Sequence, residues 1–305
     1  MAITLTVTRK NNLVVIAAWG FMLLGSILPE IILHEVLHRS DLVAWLTSGR
    51  LVTLAVLTAV SWLWQPLRPL WKYAAILLVF AGGQEVMNRV RETAVWQNTL
   101  NQWGSSFARD YLAVQVWKLG STAIVLVGLF ALGFRRKDAF LVRGQLDAPI
   151  TPVKWLGFPK PEPWTHFGAK WIVFLSIGMV VLLNIFGTVH LDSLMAALGM
   201  MPVILILSAL NAFNEEVTYR SAQLAPLEPA VGSRQALWIT AVLFAIMHYY
   251  SAINGVAGVI LTIFMGWMLS KAMLETRGFF WSWLIHFTQD VVIFWFIAGS
   301  STILS

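Results

Sequence analysis

The sequence predicts an all-α fold, a polytopic bundle of about eight or nine membrane-spanning helices. Three observations predict it. Hydrophobic residues make up 58% of the 305 and charged residues only 12%, where a soluble domain carries about 25% charged residues. Mean hydropathy is +0.72. Long apolar runs recur along the whole chain, more than one soluble core could bury. The net charge of +6 would suggest nucleic acid in a soluble protein, but here the basic residues sit in short breaks between runs, where they set topology. The chain has no cysteine, which removes disulfide, haem-thioether and thiolate chemistry. A nucleophile must therefore be an oxygen or an activated water.

Taken in order, Arg9 and Lys10 precede a first apolar run at 13–33, too long for a signal-peptide core and without a small-residue cleavage site. A second run, 42–64, is interrupted by Arg50, and a third, 71–86, by Gly82 and Gly83. A polar stretch with Arg89, Arg91 and Arg109 reads as an amphipathic connection to the fourth run, 112–134. From 135 to 170 the composition turns basic and proline-rich, with Arg135, Arg136, Lys137, Arg143 and Pro159, Pro161 and Pro163, which predicts a cytoplasmic loop lying against headgroups. Five further runs follow at 169–189, 202–222, 237–251, 256–273 and 279–297. The expected organisation is a four-span region of unassigned role at 1–134, a basic loop at 135–168 and a helical core at 169–305. Lysine and arginine counts in the breaks favour an N-terminus inside and a C-terminus outside, with the third-to-fourth connection dissenting.

Ionised side chains near a helix centre cost about 2.5–3.5 kcal/mol on insertion scales, so those that occur point to function. Asn214-Glu215-Glu216-Val217-Thr218-Tyr219-Arg220 closes an apolar run. Glu216 and Arg220 are four apart with the acid first, the favourable order for an ion pair, and Glu215 lies about 100° round the helix, facing other partners. His248 closes Phe244-Ala245-Ile246-Met247-His248, and His286 and Asp290 share one face of the last run. Two histidines and three carboxylates in neighbouring spans can share one polar interior, and nothing else in these runs could accept them.

These three segments resemble the EExxxR, FxxxH and HxxxB motifs of the CPBP (Abi) family, which includes type II CAAX prenyl endopeptidases and bacteriocin-processing or self-immunity proteins. The resemblance covers about residues 202–297 and implies a glutamic intramembrane endopeptidase acting on a membrane-anchored or lipidated protein. A CAAX tail, a sorting helix or a leader peptide would qualify as substrate. It implies Glu215 as general base, His248 on the same water, and His286 with Asp290 at the scissile carbonyl; Glu216, Arg220, Tyr219 and Phe244 support them. Asp290 stands where the family more often has Asn, and as a carboxylate it can only accept hydrogen bonds, so it is expected to orient His286. A bacterial or archaeal plasma membrane is the expected location.

Two alternatives stay open at this point. His34-Glu35-Val36-Leu37-His38 fits HExxH, in which histidines one helical turn apart bind zinc and the glutamate acts as base. No cofactor is otherwise expected, although Glu/His clusters suit zinc as well as water. The polar core could also serve a non-catalytic immunity or scaffold protein.

Overall fold

A computed structural model describes residues 12–100, 107–186, 190–251 and 253–301; Arg9, Lys10 and the end of the expected 169–189 run lie outside them. The described chain is helical. Its α-helices are α1 (Asn12–Gly25), α2 (Leu28–Ile31), α3 (Val43–Leu63), α4 (Trp71–Arg91), α5 (Ala94–Leu100), α6 (Phe107–Ala131), α7 (Trp164–Phe186), α8 (Leu191–Ala197), α9 (Met201–Glu216), α10 (Ala222–Val231), α11 (Ser233–Met247), α12 (Gly255–Thr276) and α13 (Phe280–Ser301). Proline sets two helix starts, Pro29 in α2 and Pro202 in α9, where its fixed φ and missing N–H do no harm. Gly232, at φ +79°, opens α11 from a backbone region closed to most side chains.

Among the described residues six helical stretches are long and apolar enough to cross a membrane, and seven if the pair Asn12–Gly25 and Leu28–Val36, bent by 57°, counts as one span. The chain is an integral membrane protein. Eight spans are reached if either α4 or α11 also crosses, and nine only if both do. α11 has 15 residues, about 22 Å of helix against about 30 Å of hydrocarbon. α4 carries Lys72, Glu85, Arg89 and Arg91.

The chain forms two compact units, residues 1–82 with 222–267 and residues 83–221 with 268–305. In the first, α3 runs unbroken through Arg50, whose guanidinium meets Glu30 of α2 at 2.5 Å, so the charge that seemed to interrupt the run is neutralised. The indole of Trp19 in α1 donates to Gln235 of α11 at 3.1 Å.

In the second unit α13 is central, packed against α7, α8 and α9, while α6 packs on α9 and also meets α13. Phe107, Ala197, Ile204, Leu207, Phe294 and Ala298 make an apolar cluster at one end. The indoles of Trp283 and Trp295 donate to the carbonyls of Ala209 and Leu194, at 3.2 and 2.9 Å. The basic segment after α6, expected to be a loop, has local order of its own. It folds on itself through bridges Pro149 to Pro163 and Val153 to Phe158, and buries Phe140, Ile150, Val153 and Trp164.

This segment is also tied to the turn after α12. The N–H of Gln145 donates to Thr276, that of Phe279 to Val142, and the indole of Trp281 to Leu146. Gly144, at φ +78°, passes so close that a Cβ there would lie 2.6 Å from the Thr276 carbonyl oxygen and 2.7 Å from Gly278 Cα. Only glycine fits, on both conformational and steric grounds.

Candidate active site

The second unit gathers a connected set of polar residues in its interior. α9 brings Asn211, Asn214, Glu215 and Glu216, a π turn at Val217–Ser221 brings Arg220, α13 brings Ser282, His286 and Asp290, and α6 brings Gln115 and Lys118. All except Lys118 are buried. The wider π turn follows immediately on the two glutamates, and such single turns recur at functional sites.

Glu216 is the most completely held. Its Oε1 lies 3.1 Å from Arg220 Nη1 and 2.7 Å from His286 Nδ1, and its Oε2 accepts the Ser282 hydroxyl. Both members of the Glu216–Arg220 pair are fully enclosed. Glu215 faces the other way, its Oε1 accepting from Lys118 Nζ at 2.6 Å and from Asn211 Nδ2 at 3.2 Å, while its Oε2 is 3.5 Å from His286 Nε2. The two carboxylates thus share one partner after all. They differ by about a third of a turn, but His286 reaches between them with one ring nitrogen toward each.

Asp290, expected to orient His286, approaches it at ion-pair distance only. Asp290 Oδ1 is 3.7 Å from Nε2, beyond a direct hydrogen bond, whereas Glu216 from α9 holds Nδ1 at 2.7 Å. A carboxylate can only accept, so Nδ1 carries the proton of that bond and Nε2 is turned toward Glu215 and Asp290. Asp290 Oδ2 instead accepts from Asn211 at 3.0 Å.

Asn211 was not singled out from the sequence, yet it sits at the crossing of the network. Its Oδ1 accepts from Lys118 at 2.5 Å and Gln115 at 3.2 Å, and its Nδ2 donates to Glu215 and Asp290. That uses both acceptor and both donor positions of the amide. Gln115 Oε1 in turn accepts from Asn214 at 3.3 Å. A signal was present: Lys118 is the one charged residue inside the 112–134 run, Gln115 is three positions earlier on its face, and Asn211 is four before Glu215.

His248 and Phe244 belong to the first unit. His248 ends α11, half-buried, with Nδ1 2.7 Å from the Phe244 carbonyl oxygen and its ring 4.1 Å from the Phe244 ring. A carbonyl only accepts, so the proton is on Nδ1 and Nε2 is the basic nitrogen. Tyr219 lies half-buried on the π turn.

The HExxH segment, also in the first unit, does not form the turn its chemistry requires. Ile32–Val36 is π-helical and His38 lies beyond it at φ +51°, so the two histidines are not one α-helical turn apart. His34 Nδ1 instead meets Glu35 at 3.2 Å, and Glu35 accepts from the Tyr250 hydroxyl at 3.0 Å. Among the described residues no group of three or more His, Asp or Glu side chains is arranged to hold a metal ion.

No curated protein and no solved structure matches the chain. Residues 197–292 do match a family model, that of the Type II CAAX prenyl endopeptidase Rce1-like proteins; all three motifs lie in this segment, and the family is the one they resemble.

Proposed function

We propose that this protein is a glutamic intramembrane endopeptidase that cleaves a membrane-anchored, lipidated protein. The family match supports a CAAX-type intramembrane endopeptidase in general, and with it a prenylated, membrane-held substrate. The observation that carries the finer reading is the meeting of Glu215, His286 and Asp290 in one buried cluster built by α9 and α13.

In the proposed reaction Glu215 takes a proton from water, and the water oxygen attacks the scissile carbonyl carbon. The carbonyl oxygen becomes an oxyanion, stabilised by an N–H at His286 Nε2. The C–N bond then breaks, Glu215 returns the proton to the leaving amine, and the products are a carboxylic acid, which keeps the second water proton, and an amine. Three carboxylates facing the two cations Lys118 and Arg220 balance when His286 is an imidazolium, the form that donates from Nε2 while Nδ1–H is held by Glu216. The resemblance also gives His248 a part in water activation. Asn211 and Lys118 hold Glu215 in place. The orientation proposed is N-terminus inside and C-terminus outside, in a bacterial or archaeal plasma membrane.

The test is cleavage of a quenched-fluorescent farnesylated CAAX peptide, and of its unprenylated form fused to a membrane anchor, by purified protein in lipid nanodiscs. Glu215→Gln should lower the rate by about 10²–10⁴-fold with unchanged thermal unfolding, and His34→Ala should leave it intact. Equal turnover by Glu215→Gln sinks the glutamic mechanism.

A further inference from the structure

The second unit contains an apolar pocket of about 440 Å³ that the proposed reaction does not use, within the range of about 300–1,000 Å³ typical of small-ligand sites. Its walls include Phe130 near the end of α6, Phe213 of α9, Phe279, and Trp283 of α13, and its mouth carries Arg136 and Arg143 from the folded basic segment. No acidic residue lines it. Both arginines are exposed, and neither guanidinium has a carboxylate partner among the described residues; the nearby Asp138 accepts from the backbone N–H of Arg135. The pocket therefore lies where α6 ends and α13 begins, the level at which a span meets the headgroup layer.

The geometry points to a binding site for one anionic phospholipid, its phosphodiester on Arg136 and Arg143 and the upper part of an acyl chain among the aromatic side chains. Two guanidiniums are a bidentate match for phosphate oxygens. A zwitterionic headgroup would bring its own cation against them, so charge complementarity selects a lipid with net negative charge. Phe213 and Trp283 lie two and three residues before Glu215 and His286, so the lipid would pack on the two helices that carry the buried cluster. The site stands independently of the proteolytic reading.

The test is native mass spectrometry of the full chain in neutral detergent, titrated in separate arms with dioctanoyl phosphatidylglycerol, dioctanoyl phosphatidylcholine and inorganic phosphate. Phosphatidylglycerol should bind most tightly, and the double variant Arg136→Gln/Arg143→Gln should lose about 25-fold in that affinity, about fivefold per arginine, while phosphatidylcholine binding stays as it was. Leu126→Trp, which fills the pocket, should weaken both lipids. Equal affinity for the two lipids overturns the assignment, as does an unchanged phosphatidylglycerol affinity in the arginine variant. So would phosphate alone binding as well as the lipid, or displacement of phosphatidylglycerol by a farnesylated peptide carboxylate at lower concentration than the lipid itself requires.

Discussion

Two clusters in this protein combine histidine with glutamate, and they have little else in common. Around His34 the side chains are open at the surface of their unit, 55% exposed for His34 and 39% for Glu35, and the polar contacts are a neighbour in sequence and one tyrosine. Around His286 the partners come from two helices, α9 and α13, the exposures are 6%, 8% and 0% for His286, Glu215 and Glu216, and each carboxylate is held by more than one donor. The first cluster fits a well-known catalytic pattern letter by letter. The second is the one that gathers buried, well-held acids around an imidazole. The difference is backbone: HExxH requires a continuous α-turn, and a π turn ending in a left-handed residue breaks it.

The contrast can be tested where it should be greatest. Arg220→Ala would leave Glu216 as a buried carboxylate without its guanidinium, a change of the kind that costs about 3–5 kcal/mol; thermal unfolding in detergent should show it, and a variant as stable as the parent would mean the pair is not the anchor the distances suggest. Asn211→Ala comes next. It removes the amide that positions both Glu215 and Asp290, and a displacement of about 1 Å at a catalytic group can cost about 10²-fold in rate. The fall should appear in kcat for peptide cleavage with little change in unfolding temperature; unaltered kcat would demote Asn211 to packing. At the far end, Asp41→Ala breaks an exposed bidentate contact with Arg39, 2.8 Å at both oxygens, and should move stability by less than about 1 kcal/mol. A larger loss there would show that exposure is a poor guide to energetics in this chain.

Much of this was readable beforehand, in a graded way. The all-helical membrane architecture and the segment, 197–292, that matches a family model follow from apolar runs and three motifs, because burial of charge in such runs is costly enough to leave a mark. Lys118 was missed for the opposite reason. It is one polar residue in a run that otherwise looks ordinary, and its partner Glu215 is 97 positions away, a pairing no local pattern encodes. The closest partner of His286 was not legible, because i,i+4 spacing says two residues share a face but not which oxygen is nearest. Glu216, from another helix, is closer to His286 than the neighbour one turn along. For the π turn at Val217–Ser221 we find no compositional cause.

The two indole bonds along α13 have a consequence for this arrangement. His286 lies between Trp283 and Trp295, each hooked to a carbonyl of a facing helix. A slip of a single residue along the axis would carry the imidazole about 1.5 Å, more than the whole spread of distances, 2.7 to 3.7 Å, at which it meets its three acids. The tryptophans thus act as a vernier, and the alignment of the acid–imidazole set is adjusted by residues that take no part in any proton transfer.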